Sequence, residues 1–250
     1  MGEETIIWKL GSMAFHGKTL VMTWMVMVAV IIFCLIGVRK LTSGSPGKMQ
    51  NVLEMIVDLV NGIAHGNLGS EKGRVMMPYL LSLITFVFFS NMWGLLPNFT
   101  FKVFEHLHIE FAQLDKIFEG SSFMSPTADI NTTLALALLT FILIIALGVK
   151  YKGRHYFGHF FEPNPVFFII HVIDMLSKPM TLAFRLFGNI YAGEVLIGVI
   201  LMLPGVWIFA GAPFDAIWLA FSIFIGCIQA YVFTVLTTAY VAQAVVSEEH

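Results

Sequence analysis

Residues 177 to 194 read SKPMTLAFRLFGNIYAGE and lie inside an apolar stretch that runs from Pro165 to Leu203. Within this stretch, Arg185 carries a guanidinium that stays charged under any physiological condition. A charged side chain near the centre of a bilayer costs at least about 2.5 kcal/mol and usually marks an ion path. The stretch therefore predicts a membrane helix that carries a charge for a functional reason.

The composition of the whole chain also indicates a membrane protein. Of its 250 residues, 58% are hydrophobic and 12% are charged, whereas soluble domains carry roughly 25% charged residues. The net charge of −2 and the lack of a basic run argue against nucleic acid as a partner. The two cysteines, Cys34 and Cys227, fall in apolar segments and give no disulfide framework. The sequence predicts no metal site and no other cofactor.

Hydropathy predicts a single membrane domain over residues 1–250, with the fold class of an all-α integral membrane protein. Upright transmembrane helices are expected at 19–38, 77–97 and 130–149, each close to the roughly 20 apolar residues that cross a bilayer. Residues 48–65 place apolar side chains at helical spacing with polar ones opposite, which is typical of an interfacial amphipathic helix. A helix packed on a soluble partner is the alternative for that segment.

Basic residues predict the orientation of the chain. They concentrate in the loops after the first and third spans, whereas the connection 98–127 holds only Lys102 and Lys116. The positive-inside rule puts the two basic loops in the cytoplasm, so the N-terminus is expected outside and the C-terminus inside. A bacterial plasma membrane is the expected location, with the thylakoid membrane as the alternative. The basic residues of the two loops are Arg39, Lys40, Lys48, Lys72, Arg74, Lys150, Lys152 and Arg154.

The last two apolar segments, 165–203 and 213–246, are too long for upright spans. At about 1.5 Å per residue the first would measure roughly 58 Å, about twice the hydrocarbon thickness of a bilayer. They predict a C-terminal hairpin of two long helices that are strongly tilted or broken. In such a hairpin, Arg185 and Gln229 reach a similar depth near the middle of the membrane.

Polar residues share one face of the first long segment. At about 100° per residue, four of them fall within about 40° of Arg185, whereas Glu194 points the opposite way. Such a stripe suits a sliding interface at which another protein brings carboxylates to a cation. An internal salt bridge between residues 174 and 178 is the alternative for the part near the cytoplasmic end. The four residues are His171, Asp174, Lys178 and Asn189.

Motifs spread along the chain, in this order and spacing, resemble those of subunit a of F-type ATP synthases. The motif centred on Arg185 is highly specific, and the resemblance covers essentially the whole chain. The motifs are FSNMWGLLP (89–97), PTADINTT (126–133), the stretch 177–194, QAYVF (229–233) and SEEH (247–250).

This resemblance implies an ion-conducting stator subunit of a rotary ATP synthase that is not itself an enzyme, because the ATP-forming sites lie on other subunits. It places the essential arginine of the family at Arg185, its last-helix glutamine at Gln229, and the following asparagine and glutamate at Asn189 and Glu194. The implied partners are a ring of c subunits, b-type peripheral stalk subunits, the remaining synthase subunits and membrane lipid. Protons are the expected ions, with sodium left open.

The resemblance also implies two offset half-channels. Ions are expected to enter past Asp129, Asn131 and Glu194, although Asp129 is equally predicted to cap a helix. Some bacterial members of that family carry a histidine seven residues before the glutamine, where this chain has Ser222. A hydroxyl cannot titrate near neutral pH, so the inlet is expected to depend on Glu194 and water. The candidates on the cytoplasmic side are Lys178, Asp174 and His171.

A stand-alone secondary transporter is the main alternative function, and a membrane enzyme is a third. Transporters often contain paired internal repeats, which the two halves of this chain do not show. An enzyme needs a nucleophile with a base, or a metal set, near the middle of the membrane. Ser222 has no evident partner of that kind in the sequence.

Overall fold

The computed structural model describes residues 7–10, 13–39, 41–95, 125–153, 156, 167–201 and 212–245. Most of the predicted 98–127 connection lies outside these residues. Long helices dominate the described chain. The elements are β1 (Ile7–Leu10), β2 (Met13–His16), α1 (Gly17–Val38), α2 (Lys48–Trp93), a 3₁₀ turn (Pro126–Ala128), α3 (Ile130–Lys152), α4 (Phe167–Leu201) and α5 (Ala212–Val245).

The helices have the length and the surface of membrane spans. In the described residues, four helical segments are long and apolar enough to cross a membrane: Gly17–Val38, Lys48–Trp93, Ile130–Lys152 and Leu219–Val245. Large apolar side chains lie exposed on α1, among them Trp24, Ile31 and Leu35. Contiguous exposed apolar surface of this kind fits contact with lipid. The prediction of an all-α integral membrane protein is confirmed.

A short antiparallel hairpin precedes α1 and was not predicted from the sequence. Strands β1 and β2 pair with Ile7 opposite His16 and Leu10 opposite Met13. The hairpin ends at His16, directly before the first residue of α1, so His16 occupies the N-cap position of that helix. Its place at the start of α1 brings His16 next to the beginning of α3, as described below.

Helix α2 consists of two helical parts that meet at Gly69. This glycine has φ 74° and ψ 178°, a backbone conformation that residues with a side chain rarely adopt. A Cβ atom on Gly73 would lie 3.2 Å from the carbonyl of Ala64. Along a straight helix these two residues would be about 13 Å apart, so the chain turns back sharply at Gly69. The predicted amphipathic segment 48–65 therefore folds against the start of the second apolar segment.

The core joins α2, α3, α4 and α5. Helix α2 has its most extensive contacts with α5, and α3 has its most extensive contacts with α4. Buried threonines within these helices donate to the carbonyl four residues earlier, as Thr140 does to Leu136 and Thr234 does to Ala230. Such bonds satisfy hydroxyls that membrane lipid cannot. The most deeply buried core residues include Val60, Leu80, Val87, Ala137, Leu182, Leu186, Phe233 and Val241.

Helices α4 and α5 contain 35 and 34 residues. At about 1.5 Å per residue each exceeds 50 Å, well beyond a hydrocarbon core of roughly 30 Å. Pro179 lies inside α4 without ending it. The strong tilt of both helices in a membrane stays a prediction.

Candidate functional site

Arg185 lies near the middle of α4 on the side that faces away from the core. Its neighbours Leu182, Ala183 and Leu186 are buried at 2%, 0% and 0% exposure, which fixes the rotation of the helix. Arg185 itself is exposed, and within the described part of the chain it has no hydrogen bond, ion pair or aromatic partner. A guanidinium has five donors in a fixed fork that matches a carboxylate. The structure thus presents a cation in an apolar helix with its binding capacity unused.

Exposed or half-exposed residues surround this cation on the same side of α4. We call this surface the arginine face and define it as Thr181, Arg185, Gly188 and Ala192. Apart from Arg185, these side chains are small, and glycine has none. Because these residues protrude little from the helix, an incoming side chain can approach the guanidinium closely.

Asn189 and Gln229 meet between the two long helices. The Asn189 Nδ2 donates to Gln229 Oε1 at 3.1 Å. Gln229 is buried at 3% exposure, whereas Asn189, one helical turn from Arg185, is exposed. The bond links α4 to α5 and places Gln229 at the level of the arginine face, as the hairpin arithmetic predicted.

The remainder of the predicted polar stripe is held by partners within the chain. Lys178 Nζ lies 3.0 Å from Asp174 Oδ2, and the same ammonium lies 5.6 Å from the centre of the Tyr240 ring. His171 is half-buried two turns before Lys178. The structure thus places an internal salt bridge at this end of the stripe, the alternative that the i, i+4 spacing offered.

A cavity of about 440 Å³ opens between the C-terminal end of α2, α4 and α5. It has room for on the order of ten water molecules. Polar lining comes from Asn91, Ser125, Asn189 and Ser222, and the rest of the lining is mostly apolar. In the described residues, no three His, Cys, Asp or Glu side chains converge as metal ligands would. The cavity therefore offers hydrogen bonds to water.

Ser222 lines this cavity with a hydroxyl that has no partner among the described residues. Its Oγ is buried and, in the described part of the chain, makes no hydrogen bond. A Cβ on Gly193 would lie 4.0 Å from that oxygen, so Ser222 faces the turn of α4 that carries Glu194. The side chain of Glu194 lies outside the described residues. A buried hydroxyl next to a cavity that has room for water is suited to bind a water molecule, because burial without a bond is costly.

A second polar cluster, buried and largely hydrogen-bonded, closes one wall of the cavity; among the described residues, the Ser90 hydroxyl is its side-chain group without a partner. Ser125 Oγ donates to the Ser90 carbonyl at 2.7 Å and lies 2.6 Å from Thr127 Oγ1. Thr127 donates to Asn91 Oδ1 at 2.8 Å, and Asn91 donates to the Gly226 carbonyl at 3.1 Å. We call this cluster the polar junction: Ser90, Asn91, Ser125, Thr127 and the Gly226 carbonyl.

No role for the polar junction was predicted from the sequence. Ser90, Asn91 and Thr127 belong to motifs quoted for their resemblance, but small neutral polar residues barely change hydropathy. The available signal was an asparagine, Asn91, near the end of an apolar span, together with the Ser-Pro-Thr run at 125–127. Neither feature identifies a partner that lies 35 to 135 residues away in the chain.

Asp129 combines a capping role with contacts to the beginning of α1. Its Oδ1 accepts the backbone N–H of Asn131 at 2.8 Å, which caps α3 as the sequence predicted. Its Oδ2 accepts the Thr19 hydroxyl at 2.9 Å and lies 3.2 Å from His16 Nδ1. Asn131 is exposed on the first turn of α3. His16 and Thr19 were not predicted as partners of Asp129, because neither belongs to a recognisable motif.

Comparisons with known proteins agree over nearly the whole chain. The family profile described as "ATP synthase A chain" matches residues 20–242. A protein of Desulforamulus reducens named "ATP synthase subunit a" is 38% identical over 239 residues, covering 94% of this chain and 82% of the relative. A protein of Gloeobacter violaceus with the same name is 37% identical over 245 residues, covering 98% and 89%. The chain therefore belongs to the ATP synthase A chain family.

Proposed function

We propose that this chain is the ion-conducting stator subunit of a rotary ATP synthase and that it passes protons to and from a ring of c subunits. The observation that carries the proposal is the guanidinium of Arg185, which lies on the exposed side of an apolar helix and has no partner among the described residues. Such a charge is costly in a membrane unless a partner neutralises it. A carboxylate on a neighbouring subunit is the complementary group.

The proposal includes a definite orientation and set of partners. The N-terminus faces the outside of a bacterial plasma membrane and the C-terminus faces the cytoplasm, as the basic loops indicate. The arginine face contacts the c-ring, b-type stalk subunits hold the chain against rotation, and lipid covers the exposed apolar sides. ATP is formed on other subunits of the complex, so this chain is not itself catalytic.

Protons enter by a half-channel from the outside. Asp129 and Asn131 stand at its mouth, and the cavity between α2, α4 and α5 forms its inner part. Ser222 holds water there, and Glu194 takes up the proton near the ring. The volume of about 440 Å³ and the unpartnered Ser222 hydroxyl support a water-filled path.

A proton from this inlet neutralises the carboxylate of the passing c subunit. The neutral site then faces lipid, because the cost of burying its charge has been removed. After nearly a full rotation the site reaches a second half-channel, open to the cytoplasm, and releases its proton. Arg185 favours that release, since a nearby cation stabilises the ionised carboxylate.

The same cation separates the two half-channels. A fixed positive charge repels protons in a narrow water path, as it does in selective pores. Protons therefore cross only by riding on the ring. The bond between Asn189 and Gln229 holds the polar side of α5 one turn from Arg185 and limits the space through which water could pass.

Disulfide cross-linking to the ring tests this function. Single cysteines are placed at Thr181, Gly188 or Ala192 in a chain without Cys34 and Cys227, and a second cysteine flanks the c-subunit carboxylate. We expect efficient cross-links in native membranes, because these positions share the exposed arginine face.

Matched controls come from the buried side of the same helix. Cysteines at Leu182 and Leu186 should not cross-link, since both positions lie in the core of this chain. Cross-links at the buried positions but not on the arginine face would contradict the proposed interface. A chain that purifies without a c-ring and transports a solute would indicate a secondary transporter.

A further inference from the structure

His16 and Asp129 form a pair that no part of the proposed function uses. His16 Nδ1 lies 3.2 Å from Asp129 Oδ2, with side-chain exposures of 50% and 11%. Within the described chain, Nδ1 is the imidazole atom with a partner, and Nε2 has none. One ring thus contacts a nearly buried carboxylate at one nitrogen and leaves the other available to water.

The carboxylate does not need His16 to hold its position. The Asn131 N–H already binds Oδ1 at 2.8 Å, and the Thr19 hydroxyl already binds Oδ2 at 2.9 Å. Two short bonds at two oxygens fix the orientation of the carboxylate. A titratable ring as a third contact is more than a structural anchor requires.

The pair lies at the outer end of the proposed inlet. Asp129 follows the 3₁₀ turn, and Ser125, just before that turn, lines the cavity. Asp129 follows Ser125 by four positions, which at about 2.0 Å per residue places them about 8 Å apart, the length of a chain of two or three water molecules. A path from solution through His16 and Asp129 to the cavity is therefore short.

We propose that His16 is a proton-collecting residue that takes protons from the outer solution and passes them to Asp129 at the mouth of the inlet. This inference rests on the proposed function. Imidazole is the ordinary side chain that gains and loses a proton between about pH 5 and 8, so it exchanges protons quickly with water. The nearly buried carboxylate alone offers water much less surface.

The transfer balances in protons and involves no redox change. A hydronium ion gives a proton to Nε2, and the imidazolium gives its Nδ1 proton to Asp129 Oδ2. The Asp129 carboxyl then gives that proton to water that leads to the cavity. The ring, left with its proton on Nε2, exchanges it through water and regains a proton on Nδ1.

Among the described residues, other charges near the pair are few. On α1, Lys18 follows His16 by two residues and makes no ion pair in the described part of the chain. On β1, Ile7 stands opposite His16, and Lys9 is the charged residue of that strand. The 3₁₀ turn has no titratable side chain, and α3 contributes Asp129 at its N-cap. Within the described part of the chain, Asp129 is thus the anion in contact with the ring.

Buffer rescue separates a proton collector from a structural anchor. The whole synthase is reconstituted into vesicles with the outer face of this chain toward the lumen, and ATP synthesis is driven by an ion gradient. The variant is His16→Gln, which keeps a hydrogen-bond donor but cannot shuttle a proton. The rate is measured with a low or a high concentration of imidazole buffer in the lumen, from mildly acidic to mildly alkaline lumenal pH.

We expect His16→Gln to slow synthesis roughly tenfold at low lumenal buffer and alkaline pH, and to approach the native rate at high buffer. The effect is smaller than the roughly 100-fold of a catalytic proton donor, because water also reaches Asp129. His65→Gln, which removes an exposed histidine from the first part of α2, should match the native rate at every buffer concentration.

Two results would overturn the inference. One is a native rate for His16→Gln at low buffer, and the other is a slowing that buffer does not relieve, as a structural anchor predicts. Thr19→Val removes the neighbouring hydrogen bond to Asp129 Oδ2 and serves as the control for a purely structural effect. Any slowing of synthesis in this variant should be independent of the buffer concentration. Arg185→Ala, measured in parallel, tests the proposed function separately, because its loss of synthesis is expected at all buffer concentrations.

Discussion

The polar junction and the arginine face use polar groups in opposite ways. In the polar junction the Asn91 and Thr127 side chains are buried at 2% and 0% exposure, and both are hydrogen-bonded. On the arginine face a full charge is exposed and has no partner in the described chain. In a membrane, a satisfied buried network stabilises one fold, whereas an unsatisfied exposed charge requires a second molecule. The contrast separates structural polarity from functional polarity.

The largest effect should come from Arg185→Ala. We expect coupled ATP synthesis to fall by at least roughly 100-fold, because the substitution removes the cation that favours the ionised carboxylate at release. Since Arg185 has no partner in the described chain, the fold of the subunit itself should be as heat-stable as the native one. Synthesis in vesicles and thermal unfolding of the isolated subunit in detergent measure the two properties.

Arg185→Lys is the control for charge alone. Lysine keeps a positive charge but loses the planar fork and gives up its proton more easily when desolvated. We expect a severe loss there as well. Retained coupled synthesis in the alanine variant would contradict the claim that the exposed charge of the arginine face is needed for function.

The second largest effect should come from Asn91→Leu, which tests whether the polar junction stabilises the fold. Asn91→Leu removes the donor to the Gly226 carbonyl and the acceptor for Thr127, so it breaks two buried hydrogen bonds. We expect a loss of about 2 kcal/mol, seen as earlier release of the subunit when the purified complex is heated in detergent. Ser82→Ala, an exposed substitution on the same helix, should change the release temperature little. Equal effects of the two variants would show that the polar junction does not stabilise the fold.

The all-α membrane fold could be predicted from the sequence, and Arg185 could be singled out in it, because both rest on one-dimensional signals. Length and hydropathy fix a membrane span without knowledge of its neighbours. Arg185 stands out because a charge in an apolar run is rare. The depth of Gln229 followed from counting residues on either side of a turn, and its bond to Asn189 agrees with that count.

The missed features depend on residues that are distant in the sequence. Gly69 reads as an ordinary helix glycine until its φ of 74° is known. The pairing of Asp129 with Thr19 joins residues 110 positions apart, and no local pattern encodes it. Neutral hydroxyls and amides also change hydropathy little, so hydropathy averaged over a sequence window does not reveal the polar junction.

An intermediate effect is expected at Asn189, which is exposed one turn from Arg185 and is hydrogen-bonded to the buried Gln229. Asn189→Leu removes the donor to the buried Gln229 Oε1. Leaving that oxygen unpaired should cost about 1 kcal/mol, and we expect ATP-driven proton pumping to fall roughly fivefold. The double variant Asn189→Leu with Gln229→Leu distinguishes the roles. Partial recovery would mean that the bond is structural, whereas a further loss would mean that Gln229 itself contributes to the ion path.

The smallest effect should come from Asp174→Asn, on the same stripe as Arg185 but within a salt bridge. The Asp174 and Lys178 side chains are 63% and 24% exposed, and exposed pairs of this kind contribute at most about 1 kcal/mol. We expect synthesis within about twofold of the native rate and an unchanged release temperature.

The variant leaves Lys178 as a second cation without a carboxylate partner on α4. If synthesis nevertheless stays intact, the loss in Arg185→Ala reflects the position of one cation and not the net charge of the helix. A loss as large as that of Arg185→Ala would instead mean that the whole stripe acts as one charged surface.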